Sequence, residues 1–313
     1  MNTPNLDNIS RKSKIRVTDI INIIEIIKTQ TPTVSELTRI TNLSHGQMKR
    51  LVLLLNPKFV NYNTASPRLT LTNMGGTLLS EKSEKEPPFN LQGIQDFIRH
   101  IKSLMPVPKR EYDQFYATEE TVINRVKKLN GQKDLQDRKI VFLGDDDLTS
   151  LAVAYTFRAC DISVLEIDTN ILNVIEKVCK EHRLKINYVL WDLKKAIPKE
   201  FLHKSDTVFT DSPYTENGFD LFLRRSLEAT KENGLSSHYI CYGTSPLSRE
   251  KSLKVQQIIN QYGLFIREKT QNFNKYIKGA ETVGNTSDLY ILEKTPQTKL
   301  GKSKPLSKLY TWE

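Results

Sequence analysis

The sequence has 313 residues, 38% of them hydrophobic and 26% charged, a length that can fold into two domains with a substantial core. No apolar run approaches the length that spans a bilayer, and 1–10 is polar with no apolar signal-peptide region after it, so we predict a cytoplasmic protein without a membrane partner. The formal net charge of +10 would suit a nucleic-acid partner without requiring one, and the three cysteines lack metal-ligand spacing.

Residues 1 to 13 are predicted to form a disordered polar arm. After it, helical periodicity and capping residues predict a helix-turn-helix followed by a two-stranded wing, and we assign a winged-helix-like domain to 14–82. The predicted elements of this domain are helices over 16–28, 33–41 and 44–55, strands over 59–62 and 68–72, and a short helix that begins at Thr72.

The third of these helices could enter a DNA major groove. Its side chains that would meet bases and phosphates are His45, Gln47, Lys49 and Arg50. They are few, and 51–55 is nearly all apolar, so we favour a module used for dimerisation or for covering the catalytic domain. We therefore expect a homodimer, with nucleic acid as a partner that the sequence allows but does not favour.

Residues 83–118 are predicted to connect this domain to the next and to contact substrate. The charged stretch 81–88 ends in two prolines and is typical of a linker, and a helix is predicted over 91–104. The irregular run 110–118 mixes carboxylates with aromatic rings, a composition that suits a flexible cation. An interdomain strap would explain the same composition.

Strands and helices alternate regularly from Glu119, which predicts an α/β fold with a Rossmann-like, mostly parallel sheet over 119–296. The predicted strands are 140–143, 162–167, 186–190, 207–210, 236–241, 265–270 and 288–293, and the predicted helices are 119–129, 148–158, 170–182, 219–230 and 253–262. A basic tail over 297–313 follows, whose terminal aromatics are expected to dock onto the body.

The turn after the first strand of this sheet is where ligands bind in open α/β folds. A turn that binds phosphate carries several glycines, whereas here only Gly144 remains and Asp145, Asp146 and Asp147 follow it. Three carboxylates at this place favour a cationic ligand.

Three later strand ends also carry acids. Glu166 or Asp168, about twenty residues after the glycine turn, is the candidate for the ribose hydroxyls of a nucleoside, and one of the two could simply cap the next helix. Asp192 is a candidate for an adenine amino group, with a helix cap as the alternative. The fourth strand ends in the Asp211 to Thr215 loop, which could hold an amine beside the donor.

The aspartate triplet would also discriminate between two possible donors of a transferred group, which differ in the charge of one end. S-adenosylmethionine carries an α-carboxylate that clustered aspartates would repel, whereas its decarboxylated form ends in an ammonium group. A charge pair about 4 Å apart is worth roughly 4 kcal/mol at an effective dielectric of about 20, so the sign of the ligand's charge matters here.

The aspartate triplet with Leu148 to Ser150, the Asp211 to Thr215 loop and the segment Tyr112 to Gln114 together resemble the branched-chain polyamine synthases, the N(4)-bis(aminopropyl)spermidine synthase family. The resemblance implies transfer of aminopropyl groups from decarboxylated S-adenosylmethionine, a co-substrate, to a secondary amine of spermidine, with release of methylthioadenosine. It also implies no permanently bound cofactor and a middle aspartate, Asp146, that acts at the reactive amine. We predict no metal ligands.

We assign the catalytic role to Asp146 and Asp211. The predicted donor-binding residues are Gly144, Asp145, Glu166, Asp168 and Asp192. The predicted acceptor-binding residues are Asp147, Tyr214, Thr215, Tyr112, Asp113 and Tyr116.

One departure and two alternatives accompany this assignment. Ser212 stands where the family loop usually has the first of two prolines, and its hydroxyl could shift the loop or add a hydrogen bond. An amino-directed DNA or RNA methyltransferase that uses S-adenosylmethionine is the main alternative, because its loop for an exocyclic amine is similar. A winged-helix regulator that senses a small cation without turning it over is the second.

Overall fold

The structure, a computed structural model, describes residues 4–63, 65–83, 90–132, 134–135, 138–158, 160–232, 235–243, 249–277, 284–301 and 308–311. It divides into two compact units, Met1–Pro88 and Phe89–Glu313. Most of the predicted linker and the terminal Trp312 and Glu313 lie outside the described residues. Across the described ranges, no helix is long and apolar enough to span a membrane.

The first unit is built from helices around one apolar core and a short antiparallel hairpin. Its elements are α1 (Pro4–Ser13), α2 (Val17–Gln30), α3 (Val34–Thr41), α4 (His45–Leu55), β1 (Val60–Asn63), β2 (Ser66–Leu71) and α5 (Asn73–Ser83). Thr33 and Ser44 each close a capping box, so the two predicted caps begin α3 and α4.

The predicted disordered arm is wrong, because 4–13 is helix α1. Leu6 and Ile9 are one helical turn apart and both are buried in the core of this unit. The polar composition of the segment concealed this apolar pair, whose burial supplies the stabilisation that an isolated ten-residue helix lacks.

The second unit begins with α6 (Leu91–Ser103), a short 3₁₀ turn (Arg110–Tyr112) and α7 (Glu119–Gly131). The elements that follow are β3 (Lys139–Leu143), α8 (Thr149–Thr156), β4 (Asp161–Glu166), α9 (Thr169–His182), β5 (Asn187–Leu190), β6 (Thr207–Asp211), α10 (Glu216–Ala229), β7 (Ser237–Tyr242), α11 (Arg249–Gln261), β8 (Leu264–Lys275) and β9 (Thr286–Lys294).

The sheet has seven strands in the order β5-β4-β3-β6-β7-β9-β8, with β9 antiparallel to β7 and β8 and the other pairs parallel. Side chains alternate across it: Ile140 and Phe142 of β3 join the core formed with α6 to α9, whereas Val141 and Leu143 join the core on the opposite face with α10. This is a Rossmann-like, mostly parallel α/β fold. The strand order reverses at β3, so the carboxyl ends of β3, β4 and β6 lie together there.

Candidate active site

A pocket opens at the carboxyl edge of the sheet, and seven of the thirteen predicted site residues line it. About 600 Å³ of free space, part of it open to solvent, lies among its lining residues. These are Tyr112, Asp113, Gln114, Phe115, Gly144, Asp146, Leu165, Glu166, Ile167, Trp191, Leu193, Asp211, Ser212, Pro213, Tyr214, Phe222 and Tyr310.

The charge of this pocket is opposite to that of the whole chain. Four carboxylates line it, those of Asp113, Asp146, Glu166 and Asp211, and none of its described lining residues is Lys, Arg or His. Six of the lining residues are aromatic. Carboxylates together with aromatic faces form a site for a cation that carries an apolar or stacking portion.

The turn after β3 positions the first two parts of the site. Gly144 has φ +70°, a left-handed conformation that favours glycine, and its N–H donates to the Leu165 carbonyl at 2.8 Å. The next N–H, of Asp145, donates to Glu166 Oε2 at 2.7 Å, and that of Asp168 donates to Glu166 Oε1 at 2.9 Å. Both oxygens of Glu166 are therefore oriented by backbone amides at the mouth of the turn.

The aspartate triplet divides by the direction of its side chains. Asp145 is buried and accepts hydrogen bonds from the Ser150 N–H at 3.2 and 3.3 Å, so its carboxylate is bound to the first turn of α8. Asp147 is also buried and accepts from the Ala117 N–H and from Arg125. Only Asp146 of the three lines the pocket.

Asp146 has a half-buried carboxylate that makes no hydrogen bond to any other residue the structure describes. Burial raises its pKa well above the ordinary value, and the nearby carboxylates of Asp147, Asp211 and Glu166 raise it further, opposed by Arg125. A carboxylate in this environment is a stronger base than one in water, and it is accessible to a ligand.

Arg125, on α7, contacts two of the predicted site residues, and sequence reasoning missed it. Its guanidinium is 1% exposed and bridges two carboxylates, 2.6 Å from Asp147 Oδ2 and 2.6 Å from Asp211 Oδ2. Its Nε donates to Asn274 Oδ1 at 2.8 Å. The available signal was its position: Val122, Arg125 and Leu129 follow helical spacing and all three are buried, so a charged residue lies on the apolar face of α7.

Asp211, at the end of β6, is held from one side only. Its Oδ2 accepts from Arg125 and, at 2.8 Å, from the hydroxyl of Tyr276, which sequence reasoning also missed. Its Oδ1 is buried without a partner among the described residues. Burial raises the pKa of Asp211, while Arg125 opposes that rise.

Three predicted acceptor residues line the pocket: Tyr112, Asp113 and Tyr214. Asp113 accepts from the N–H and hydroxyl of Thr311 at 2.9 to 3.0 Å, and from the Tyr214 N–H at 3.4 Å. It therefore joins three segments distant in sequence. Leu309 and Tyr310 are buried beside them, which answers where the tail docks.

Four other predicted residues do not line the pocket. Asp168 caps α9 and accepts from Lys109 at 2.7 Å and Gln114 at 3.1 Å, which anchors the segment before α7. The other three hold local turns or neighbouring segments: Asp192 accepts from the Lys194 N–H, Thr215 caps α10 and donates to the Leu309 carbonyl, and the Tyr116 hydroxyl donates to the Pro106 carbonyl.

Ser212 adds a hydrogen bond to the loop. Its hydroxyl donates to the Cys241 carbonyl at 3.0 Å, and its N–H donates to the same oxygen at 3.2 Å. A proline at this position would make neither bond.

A family model matches residues 93–306, which contain nearly the whole pocket. The family is described as the branched-chain polyamine synthase A C-terminal domain. The chain belongs to this family. The predicted relationship is thus confirmed, and it covers the part of the chain that carries the triplet, the Asp211 loop and Arg125.

Curated relatives and a solved structure agree with the family. An N(4)-bis(aminopropyl)spermidine synthase of Methanocaldococcus jannaschii is 30% identical over 66% of this chain and 61% of its own length. An uncharacterized protein of the same organism is 36% identical over 63% of this chain and 49% of its own. The present chain thus spans between about half and three fifths of these relatives.

The crystal structure of the branched-chain polyamine synthase from Thermus thermophilus, in complex with N4-aminopropylspermidine and 5′-methylthioadenosine, has the same fold with a TM-score of 0.63. The match covers 99% of this chain and 98% of that one at 19% identity.

Proposed function

We propose that this protein is an aminopropyltransferase that moves aminopropyl groups from decarboxylated S-adenosylmethionine to a secondary amine of spermidine, making branched polyamines and methylthioadenosine. The observation that carries the proposal is the pocket itself: a family member presents an unpartnered Asp146 among four carboxylates and six aromatic rings, in a chain of net charge +10. The named relatives support the same reaction.

The nucleoside of the donor would lie at the β3 turn. Glu166, whose two oxygens are fixed by backbone N–H groups, retains lone pairs to accept from the ribose hydroxyls. Trp191, Leu193 and Phe222 supply apolar faces for the base. Asp168 and Asp192, the other predicted donor residues, would act through the turns that they hold rather than by contact.

The donor's ammonium end and the polyamine would lie towards Asp146 and Asp211. Both carboxylates line a pocket with no described basic lining residue, so a cationic tail is stabilised there and the α-carboxylate of S-adenosylmethionine is repelled. Of the triplet, we now assign this discrimination mainly to Asp146, with Asp145 and Asp147 as positioning residues.

In the reaction, the lone pair of the spermidine nitrogen forms a bond to the propyl carbon while the carbon–sulfur bond breaks and its electron pair goes to sulfur. The sulfonium thereby becomes the neutral thioether of methylthioadenosine. Asp146 would accept the proton that the nitrogen loses, a role that its raised pKa favours. Asp211 would hold the amine in line, and Tyr112, Asp113 and Tyr214 would wall the acceptor channel.

Arg125 and Tyr276 would keep Asp211 oriented and partly neutralised without touching substrate. The Arg125 guanidinium forms ion pairs with Asp147 and Asp211. Asp146 is therefore the carboxylate of the triplet with which an incoming cation can pair.

We also propose that the first unit is a winged helix, supported by the α2-α3-α4 order and the β1-β2 hairpin. The domain limits 14–82, 83–118, 119–296 and 297–313 and the homodimer remain proposals. On α4, Gln47 uses its side chain to complete the Ser44 capping box, which leaves His45, Lys49 and Arg50 as exposed groups for nucleic acid. We continue to favour a packing or dimerisation role.

Mass spectrometry of the purified protein with spermidine and each donor separately tests the reaction. We expect methylthioadenosine and an aminopropylated product from decarboxylated S-adenosylmethionine and neither from the intact donor. Absence of both products would refute the proposal. Tighter binding of intact S-adenosylmethionine would favour the methyltransferase, and sequence-specific DNA binding without turnover would favour the regulator.

A further inference from the structure

Two histidines and a glutamate meet on the second unit, away from the pocket. His100 lies on α6, and Glu181 and His182 form the end of α9. None of the three lines the pocket described above. Each residue offers one ligand atom, an imidazole nitrogen or a carboxylate oxygen, and the three atoms lie within 4.8 Å of one another.

The spacing of these atoms is compatible with a shared metal ion. Glu181 Oε1 lies 3.3 Å from His100 Nε2 and 3.6 Å from His182 Nε2. Both nitrogens are shielded from solvent, and neither has a hydrogen-bond partner among the residues that the structure describes. A tetrahedral ion with bonds of about 2.0 to 2.2 Å separates neighbouring ligand atoms by roughly 3.3 to 3.6 Å.

The His182 imidazole is oriented by packing against two aromatic rings. The His182 ring stands edge-on to Phe97 at 5.0 Å and to Tyr155 at 6.1 Å, and its centroid is 5.6 Å from that of His100. Phe97 and Tyr155 in turn stack on each other at 4.1 Å. The His182 ring is thus held in place beside His100, while Glu181, 45% exposed at its side chain, can move to admit an ion.

We propose that His100, Glu181 and His182 bind a divalent transition metal ion that ties α6 to the end of α9. Two imidazoles and a carboxylate are ligands that zinc prefers, and a fourth position would be open to water. The site is separate from the aminopropyl transfer pocket, so its role is to stabilise the unit rather than to take part in transfer.

Zinc binding to the full chain, measured by calorimetry under reducing conditions after chelator treatment, tests the proposal. We expect one saturable site, and we expect His100→Gln and His182→Gln each to weaken it by at least about tenfold, since even groups that only orient metal ligands are worth roughly 10- to 100-fold in affinity. Cobalt in place of zinc should give the visible absorption of a tetrahedral site in the wild type and lose it in both variants.

His203→Gln is the matched control. His203 also has one carboxylate neighbour, with its Nε2 3.4 Å from Glu232 Oε1, but no second imidazole accompanies it in the group of ligand atoms. We expect this variant to bind zinc like the wild type. Absence of saturable zinc binding, or equal binding by the wild type and a His100→Gln/His182→Gln double variant, would overturn the proposal.

Discussion

The two units differ in what they bury. In the described part of the first unit the buried polar side chains are those of Ser10, Ser13 and Thr18, and none is charged. The described part of the second unit buries ten charged residues, and several of them line the pocket or contact residues that line it. These are Asp113, Arg125, Asp134, Asp145, Asp147, Glu166, Asp168, Arg225, Glu228 and Asp288.

Burying a charge costs several kcal/mol unless partners compensate it. A sequence can avoid this cost, as the described part of the first unit does, by leaving its charges on the surface. The clustering of buried charges around one pocket in the second unit therefore indicates a site at which fixed charges are needed. Substitutions of these charged residues should change stability and activity to different degrees.

Asp146→Asn should have the largest effect on activity. The amide keeps the shape but cannot accept the proton of the attacking nitrogen, so we expect turnover to fall about 10²- to 10⁴-fold. Product formation measured by mass spectrometry under saturating donor checks this. Near-normal turnover would show that another group is the base.

The same variant should be more stable than the wild type at neutral pH. The pKa of Asp146 is raised in the folded protein, so its contribution to stability is present below the ordinary value of 3.8 and is lost as the pH rises through the raised pKa. Urea unfolding at pH 5 and pH 8 should show a gain that grows with pH. Asp161→Asn, at an exposed carboxylate paired with Lys139, should change neither stability nor turnover appreciably.

Arg125→Gln should have the largest effect on stability. It leaves Asp147 and Asp211 buried without their shared cation, at a cost of about 3 to 5 kcal/mol. Loss of Arg125 also raises the pKa of Asp211 further, so the deficit should narrow as the pH falls and that carboxylate is protonated. Denaturant unfolding at several pH values measures this. A deficit that does not change with pH would argue against two uncompensated carboxylates.

The exposed pair of Arg99 and Asp96 provides the control for that experiment. Their nitrogen and oxygen are 3.1 Å apart, but both side chains are more than half exposed. Arg99→Gln should cost well under about 1 kcal/mol at every pH.

Leu6→Ala tests the first unit, whose described part buries no charged side chain. Leu6 is 1% exposed, and its truncation should cost about 2 to 5 kcal/mol within the first unit while leaving transfer activity unchanged. Hydrogen exchange resolved by segment would locate the loss in 4–83. Leu53→Ala, the same change at a side chain that is 54% exposed, should have little effect, and equal losses would show that α1 does not pack as described.

The sequence predicted the parts of the fold and site that depend on local pattern. The alternation of strands and helices placed Gly144, Glu166 and Asp211 at strand ends that the parallel sheet brings together. The resemblance singled out Asp146, the member of the triplet that lines the pocket.

What the sequence could not show depends on long-range partners. The three aspartates are identical in type and adjacent. Asp145 accepts a local bond from the Ser150 N–H, whereas Asp147 accepts from Ala117 and Arg125, which only the tertiary fold brings near it. Arg125 lies in a helix otherwise rich in charged residues, where its buried position is easily taken for a surface one. His100 and His182 likewise meet only because α6 and α9 pack on the same face.

Ser212→Pro should have the smallest effect, and it tests how the loop beside Asp211 is held. The change removes two hydrogen bonds to the Cys241 carbonyl, each worth about 1 kcal/mol, while proline returns roughly 0.4 to 1 kcal/mol by restricting the unfolded chain. Ser212→Ala removes only the hydroxyl bond. If these bonds position the loop, the apparent KM for spermidine should rise a few-fold in the alanine variant and more in the proline variant, with similar values for the donor. Equal KM values in all three proteins would mean that Arg125 and Tyr276, through Asp211, suffice to fix the acceptor side of the pocket.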